Sequence, residues 1–172
     1  TLREKWGAAA GRQMFLFYQY QALAVLFFSV PALVVAHHPV GHWTPWDLVG
    51  VLIWLIGVGN TVLADRQLAR FKQRQDSRGP VAREGWWRYS RHPNYFFEWR
   101  HWWSYVALAA GSACWWVTLA APLAMLYFLL NLTGIPPTEA QALASRGEDY
   151  REYQRTTSVF VPWFPKAGGK ER

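Results

Sequence analysis

Twenty-three consecutive residues, Met14 to Ala36, carry no charge and are dominated by Leu, Phe, Val and Ala. As a helix rising ~1.5 Å per residue, such a run crosses the ~30 Å hydrocarbon layer of a bilayer. No other feature narrows the fold as much, because a chain inside lipid must pair its backbone polar groups within helices or a closed barrel. Gln19 and Gln21 interrupt the apolar face, and Pro31 predicts a kink near one end.

The same pattern recurs. Asp47 to Ala64 is apolar behind a single acid, Tyr95 to Gly111 is apolar but contains Glu98, Arg100 and His101, and Ala113 to Leu132 is uncharged. These runs predict an all-α, polytopic integral membrane bundle forming a single domain over 1–172. Its four spans fall at about 14–36, 47–64, 95–111 and 113–132, with a cytoplasmic loop at 65–94 and a cytoplasmic amphipathic helix and tail at 138–172. Glu98, Arg100 and His101 would each cost a few kcal/mol against lipid, so they are expected to face protein, water or a ligand. Asn94, following Pro93, is read as the N-cap of the third helix. Gly134, Pro136 and Pro137 are read as the stop after the fourth, with Thr138 capping a polar helix to about Thr156. The tail from Lys166 onward is expected to be disordered.

Composition supports this reading through its distribution. The chain is 52% hydrophobic with 12 Trp and a net charge of +7, an aromatic load unusual for a soluble domain. Its cations are gathered: Asp65 to His92 holds eight Lys or Arg against three acids, and Thr133 to Arg172 holds six more. The connections at 37–46 and 111–113 hold none. By the positive-inside rule both basic blocks, and both termini of this chain, are cytoplasmic. The membrane is expected to be the bacterial inner membrane, or the endoplasmic reticulum if the chain is eukaryotic. Thr1 to Arg12 lacks the features of a signal peptide, and a preceding N-terminal part of the protein is expected. A lone Cys, Cys114, excludes an intramolecular disulfide and a Cys-based metal site. His37, His38 and His42 lie in an outer loop without a partnering acid or Cys and are read as a loop, not a metal site. There is no Gly-rich dinucleotide fingerprint, which excludes a Rossmann domain.

The densest chemistry lies in Arg88-Tyr89-Ser90-Arg91-His92-Pro93-Asn94-Tyr95-Phe96-Phe97-Glu98, where a basic loop meets the start of the third helix. Free N–H groups at that helix end, beside Arg88, Arg91 and His92, form an anion site. Asn94, Glu98, Trp102 and Tyr105 then follow at helical spacing, so a stripe runs from the basic mouth into the membrane. The competing reading is that the cations only set topology and that Glu98 pairs with Arg100 or a neighbouring helix.

The segment from Tyr89 to Tyr95 with Glu98, together with Leu132 to Glu139, Gly147 to Tyr153 and Pro162-Trp163-Phe164-Pro165, resembles the steroid 5α-reductase family in its bacterial branch. The resemblance covers nearly the whole chain from Leu2. It implies a fold of about seven membrane helices, of which this chain supplies the C-terminal, cofactor-holding part. It also implies NADPH-dependent reduction of the C4=C5 double bond of a 3-oxo-4-ene steroid or similar lipid enone. Asp65, Lys72 and Arg78 would reach the adenosine and phosphate end. Tyr89, Arg91, His92, Asn94 and Glu98 would reach the nicotinamide and diphosphate, with Trp102 one turn deeper. Glu139, Arg146, Tyr150, Arg151 and Tyr153 would lie on the C-terminal helix that closes over the cofactor.

In such a reaction a donor must face the carbonyl oxygen as hydride reaches the β-carbon. The resemblance places an acid and tyrosine pair for this on helices before this chain. Within the chain Tyr95 and Glu98 are the catalytic candidates, and Gln19 and Gln21 the substrate contacts. The expected partners are bilayer lipid and a hydrophobic enone, with no nucleic acid or metal, acting as a monomer. Three alternatives stay open: an S-adenosylmethionine-dependent isoprenylcysteine-type methyltransferase, a sterol Δ14-type reductase, and a non-catalytic lipid-binding protein. The surplus of Lys and Arg favours a phosphorylated cofactor over a sulfonium one. Glu148 and Glu152 are read as members of a plain solvated helix with charge pairs.

Overall fold

The computed structural model describes residues 7–38, 41–74 and 81–166. These are mostly helical, and among them no strand forms. The long apolar runs become α1 (Ala10–Ala36) and α2 (Pro45–Arg74), followed by α3 (Pro93–Leu108). Beyond a 3-10 turn at Trp115–Leu119 come α4 (Ala120–Tyr127), a π-helical turn at Phe128–Leu132, α5 (Ile135–Arg146) and α6 (Glu148–Thr156). Three stretches are long and apolar enough to cross a bilayer: Ala10–Ala36, Pro45–Arg74 and Trp115–Arg146.

The expected span at 95–111 does not join them. Its helix has 16 residues, about 24 Å at 1.5 Å each, because Pro93 fixes its start and a turn through Gly111, at φ 93°, follows its end. Pro31 sits inside α1, which runs unbroken to Ala36.

Other boundaries move for local reasons. α2 continues ten residues past Ala64, so Asp65 and Lys72 lie on a helix and not in the expected loop. Pro136 and Pro137 occupy the first turn of α5, where a missing N–H costs nothing, so they start a helix after the break at Gly134. Thr138 is inside that turn and donates to Gly134 O at 2.7 Å. The polar helix expected from 138 to 156 is divided at Gly147, at φ 57°. Arg78 and all but Lys166 of the C-terminal tail lie outside the described residues.

α2 and α3 run antiparallel along a seam of small residues. Gly50, Gly57 and Ala64 recur every seventh position and are the buried residues of α2, a spacing that keeps one face toward a neighbour. A Cβ on Gly57 would stand 2.6 Å from His101 Cβ and 2.9 Å from its Cα, and one on Gly50 would stand 2.5 Å from Leu108 Cγ. The backbones therefore meet almost directly, the contact that small residues permit in membrane helices. α1 touches α3 through Phe28 and Trp102, whose ring centroids are 4.9 Å apart. On the far side, Trp99 Nε1 donates to Pro122 O at 3.0 Å, tying α3 to α4.

Candidate functional site

The antiparallel seam delivers the end of α2 and the start of α3 to the same place. Two tryptophans of the 3-10 turn Gly85–Arg88 lock the intervening chain onto α2: Trp87 Nε1 donates to Ala64 O at 2.9 Å, and Trp86 N donates to Gln67 Oε1 at 2.9 Å. Gly85 is required at this point. Its φ is 57°, and a Cβ would lie 2.5 Å from the Gln67 side chain.

The C-terminal segment closes the other side. The Tyr153 hydroxyl is shared between Trp87 O and Ser90 O, Arg91 N donates to Ser158 O at 2.8 Å, and Ser90 Oγ donates to Phe160 O at 2.8 Å. Trp163 N donates to Tyr89 O at 2.9 Å. α6 and the chain after it are thus stitched to residues 87–91. Tyr153→Phe removes the shared hydroxyl and leaves two buried carbonyls short of a donor. It is expected to cost about 1–3 kcal/mol, read as a lower melting temperature in detergent.

Between these elements lies a cleft of about 280 Å³. Leu68, Phe71 and Lys72 come from α2, Trp87, Arg91 and His92 from the loop, and Asn94 and Tyr95 from α3. Thr138, Gln141, Ala142, Ser145 and Arg146 come from one face of α5, with Tyr150 and Tyr153 from α6. Lys72 and Arg146 have no carboxylate partner among the described residues. Among the described residues, the cleft therefore carries two cations outside any ion pair.

Glu139 stands behind the wall as a hub. Its Oε1 lies 3.1 Å from His92 Nε2 and 3.1 Å from Arg91 Nε, and accepts from the Tyr150 hydroxyl at 3.2 Å. Its Oε2 accepts from Gln154 Nε2 at 2.7 Å. Arg91 Nε meets it at ion-pair distance but off the angle of a hydrogen bond. One carboxylate thus joins the loop, α5 and α6. His92 is buried, its ring stacked on Tyr95 at 5.4 Å with the planes 5° apart. The Tyr95 hydroxyl lies 3.3 Å from Thr138 Oγ1.

Burial first, and then the Glu139 carboxylate, push the Tyr150 hydroxyl well above its ordinary range; burial and the adjacent Tyr150 do the same for Tyr153. Both remain neutral donors through neutral and mildly alkaline pH. Deprotonation is harder in the folded protein than in the unfolded chain, where tyrosine titrates near ~10. Their contribution to stability is therefore complete below about pH 10 and is lost as pH rises toward the raised native values. Melting temperature is expected to show no loss from these two groups between pH 7 and 9 and to fall above about 10, the Tyr153→Phe variant falling less steeply.

The other sequence candidates are placed as follows. Asn94 is not the cap of α3: His92 holds that position, Pro93 is the first helical residue, and Asn94 Nδ2 donates to Asp65 Oδ1 at 3.0 Å. Asn94 Oδ1 is buried without a hydrogen-bond partner among the described residues. Glu98, half-buried one turn on, has Asp65 as its charged neighbour and makes no ion pair with Arg100 among the described residues. Trp102 packs on Phe28 and lies outside the cleft lining. Tyr89 is likewise elsewhere, its ring against Trp86 and Phe164. Arg151 pairs with Glu148 on the exposed side of α6, and Glu152 pairs with Arg83 at 3.1 Å. Gln19 and Gln21 are exposed on α1. Sequence reasoning missed Thr138, Gln141 and Ser145, although their spacing puts them on the same helix face as Ala142 and Arg146.

A family model described as "Protein of unknown function (DUF1295)" matches residues 1–157. No curated protein and no solved structure gives a significant match.

Proposed function

Since the chain belongs to the DUF1295 family, whose description assigns no activity, we propose from its own residues that it reduces a lipid enone with NADPH. The preferred substrate class is a 3-oxo-4-ene steroid or a similar flat lipid, reduced at its C4=C5 bond. The motifs between Tyr89 and Glu139, which resemble those of the steroid 5α-reductase family, support this reading. The observation that carries the reading is the convergence of Lys72, Arg91, His92, Asn94 and Arg146 on one cleft.

The residues present fit a phosphorylated dinucleotide. Two cations without acid partners suit phosphate oxygens. The unpartnered Asn94 Oδ1 and the carboxylates of Asp65 and Glu98 suit ribose or amide donors, since a buried acceptor left unmade is costly. A volume of about 280 Å³ is just below the ~300–1,000 Å³ typical of ligand pockets, so the cleft takes the phosphate end and the Asn94 to Glu98 stripe takes the remainder. When bound there, NADPH would supply the hydride for the β-carbon of the enone, with water supplying the proton for the α-carbon, so that the double bond becomes single. Lys72 and Arg146 would bind the phosphates, Asp65 fixes Asn94, and Tyr95 would offer its hydroxyl to the substrate side.

In this reading α3 is the return pass between α2 and α4, completing four membrane segments. Both basic blocks then share the cytoplasmic side, with the cleft open to the cytoplasm.

The test is titration of the purified protein with NADPH and with S-adenosylmethionine, followed by NADPH oxidation in the presence of a 4-ene-3-oxosteroid. NADPH is expected to bind and to be consumed, and Lys72→Ala with Arg146→Ala to weaken binding at least tenfold. Preference for S-adenosylmethionine would move the chain to the methyltransferase reading, and binding of neither would remove both.

A further inference from the structure

After α6 the chain does not leave the bundle. Residues 157–166 are irregular and extended, and their side chains divide into two sets. Phe160 points inward and is buried against Phe96 and Trp99 of α3, at ring distances of 5.6 and 5.7 Å, in a cluster with Met125, Leu126 and Leu129. Val159, Val161, Trp163 and Phe164 point outward, Trp163 being 70% and Phe164 76% exposed. Four large apolar side chains on one short edge are more than scattered surface hydrophobics.

Two observations say what covers that edge. It is anchored on the apolar Trp115–Arg146 stretch through Phe160, which clusters with Leu129 and Ile135 of that stretch, and the stretch exposes further apolar side chains of its own, Tyr127, Leu130 and Leu132. Phe160 itself packs on residues of that stretch, so the edge sits at the depth where the apolar stretch approaches its polar end. The edge is also graded in polarity: the Phe164 ring meets Tyr89 at 6.0 Å, and the Arg88 guanidinium lies over that Tyr89 ring at 6.0 Å. An apolar tip, an amphipathic ring and a cation in sequence match the order of acyl chain, interface and headgroup.

We infer that residues 159–164 are an interfacial membrane anchor, with Val161, Trp163 and Phe164 seated at the boundary of acyl chains and headgroups and Arg88 reaching the headgroups. The anchor requires only that the apolar helices span a bilayer, so it stands apart from the cofactor reading. Through Trp163 N to Tyr89 O and the bridge between Ser90 and Ser158, it ties the wall of the cleft to the lipid surface.

The experiment uses the full chain with Cys114→Ser, reconstituted in vesicles of phosphatidylcholine and phosphatidylglycerol. A nitroxide label is placed at Phe164→Cys, with Arg155→Cys on exposed α6 as the aqueous reference. Collision with oxygen, which concentrates in acyl chains, is compared with collision with a water-soluble nickel chelate. The oxygen-to-nickel ratio at residue 164 is expected to be at least threefold that at 155. A ratio equal to that at 155 overturns the anchor, and so does exclusion of both reagents, which would mean that protein, such as a second copy, covers the edge. Val161→Cys and Trp163→Cys sample the same edge if Phe164→Cys does not fold. NADPH binding is not read in this assay, so either reading can fail without the other.

Discussion

Gly57→Leu is expected to yield no monodisperse protein on size exclusion in detergent, whereas Gly59→Ala is expected to behave like the parent. The difference comes from what a Cβ would meet. At Gly57 it falls 2.6 Å from His101 Cβ, 2.9 Å from His101 Cα and 3.0 Å from His101 N. A side-chain tip can rotate away, but the Cα and N of a packed helix cannot, so the helices must separate. At Gly59, two residues along, nothing lies within 4 Å. Overpacking a tight contact costs roughly 1–3 kcal/mol for small additions, which sets the expectation for Gly57→Ala: a folded protein with a melting temperature lowered by several degrees. Leucine adds three further carbons where even the first does not fit. A well-behaved Gly57→Leu protein would mean that α2 and α3 do not meet along this seam.

Glu139→Ala is expected to lower the melting temperature on the order of 10 °C, the effect of removing one member of a buried ion pair, about 3–5 kcal/mol, in a chain of this size. The Arg91 and Glu139 side chains are only 10% and 15% exposed, so solvent does little to compensate the cation left behind. Tyr150, Gln154 and His92 lose their acceptor as well. Glu139→Gln separates charge from shape: it keeps an oxygen for Tyr150 but neither neutralises Arg91 nor balances its neighbours, and a smaller loss is expected. If NADPH occupies the cleft, its affinity for Glu139→Gln falls at least tenfold at temperatures where the variant is folded, because Arg91 and His92 are no longer held in place. Unchanged stability of Glu139→Ala would show that the loop, α5 and α6 are joined by other contacts.

How much of this was legible in the sequence varied with the range of the interaction involved. Met14 to Ala36 and the run from Asp47 read directly as helices because an uncharged stretch of that length has few alternatives. Ends were harder. Proline marks both the close of one helix and the first turn of the next, so Pro136 and Pro137 read as a stop where they form the start of α5, and Asn94 read as a cap where Pro93 already stands inside α3. The 95–111 segment was bounded to within a few residues, its helix running from Pro93 to Leu108 with the turn at Gly111, but it is too short to be singled out as a span by length.

For the cleft, Arg91, His92 and Asn94 could be named because basic residues and a helix start cluster along the chain, whereas Lys72, Arg146, Tyr150 and Tyr153 were named only through the family resemblance. Tyr89 and Arg151 could not be placed. Each belongs to a motif that lies near the cleft in sequence, but a helical or turn residue faces one way only, and theirs is toward Phe164 and Glu148. The role of Glu139 as a hub depends on α6 folding back over α5 at Gly147, which no local pattern specifies.

The seam between α2 and α3 also decides which way a molecule dissolved in the bilayer could travel toward the Asn94 to Trp102 stripe. On the α2 side the path is shut by backbone against backbone at Gly57, and no rotamer change there can open it. On the α1 side the barrier is the Phe28 ring against Trp102, side chain on side chain, which a rotation can part. If a lipid-dissolved substrate reaches the stripe, its entry is therefore one-sided, and bulk added at Phe28 would throttle it without touching the cleft.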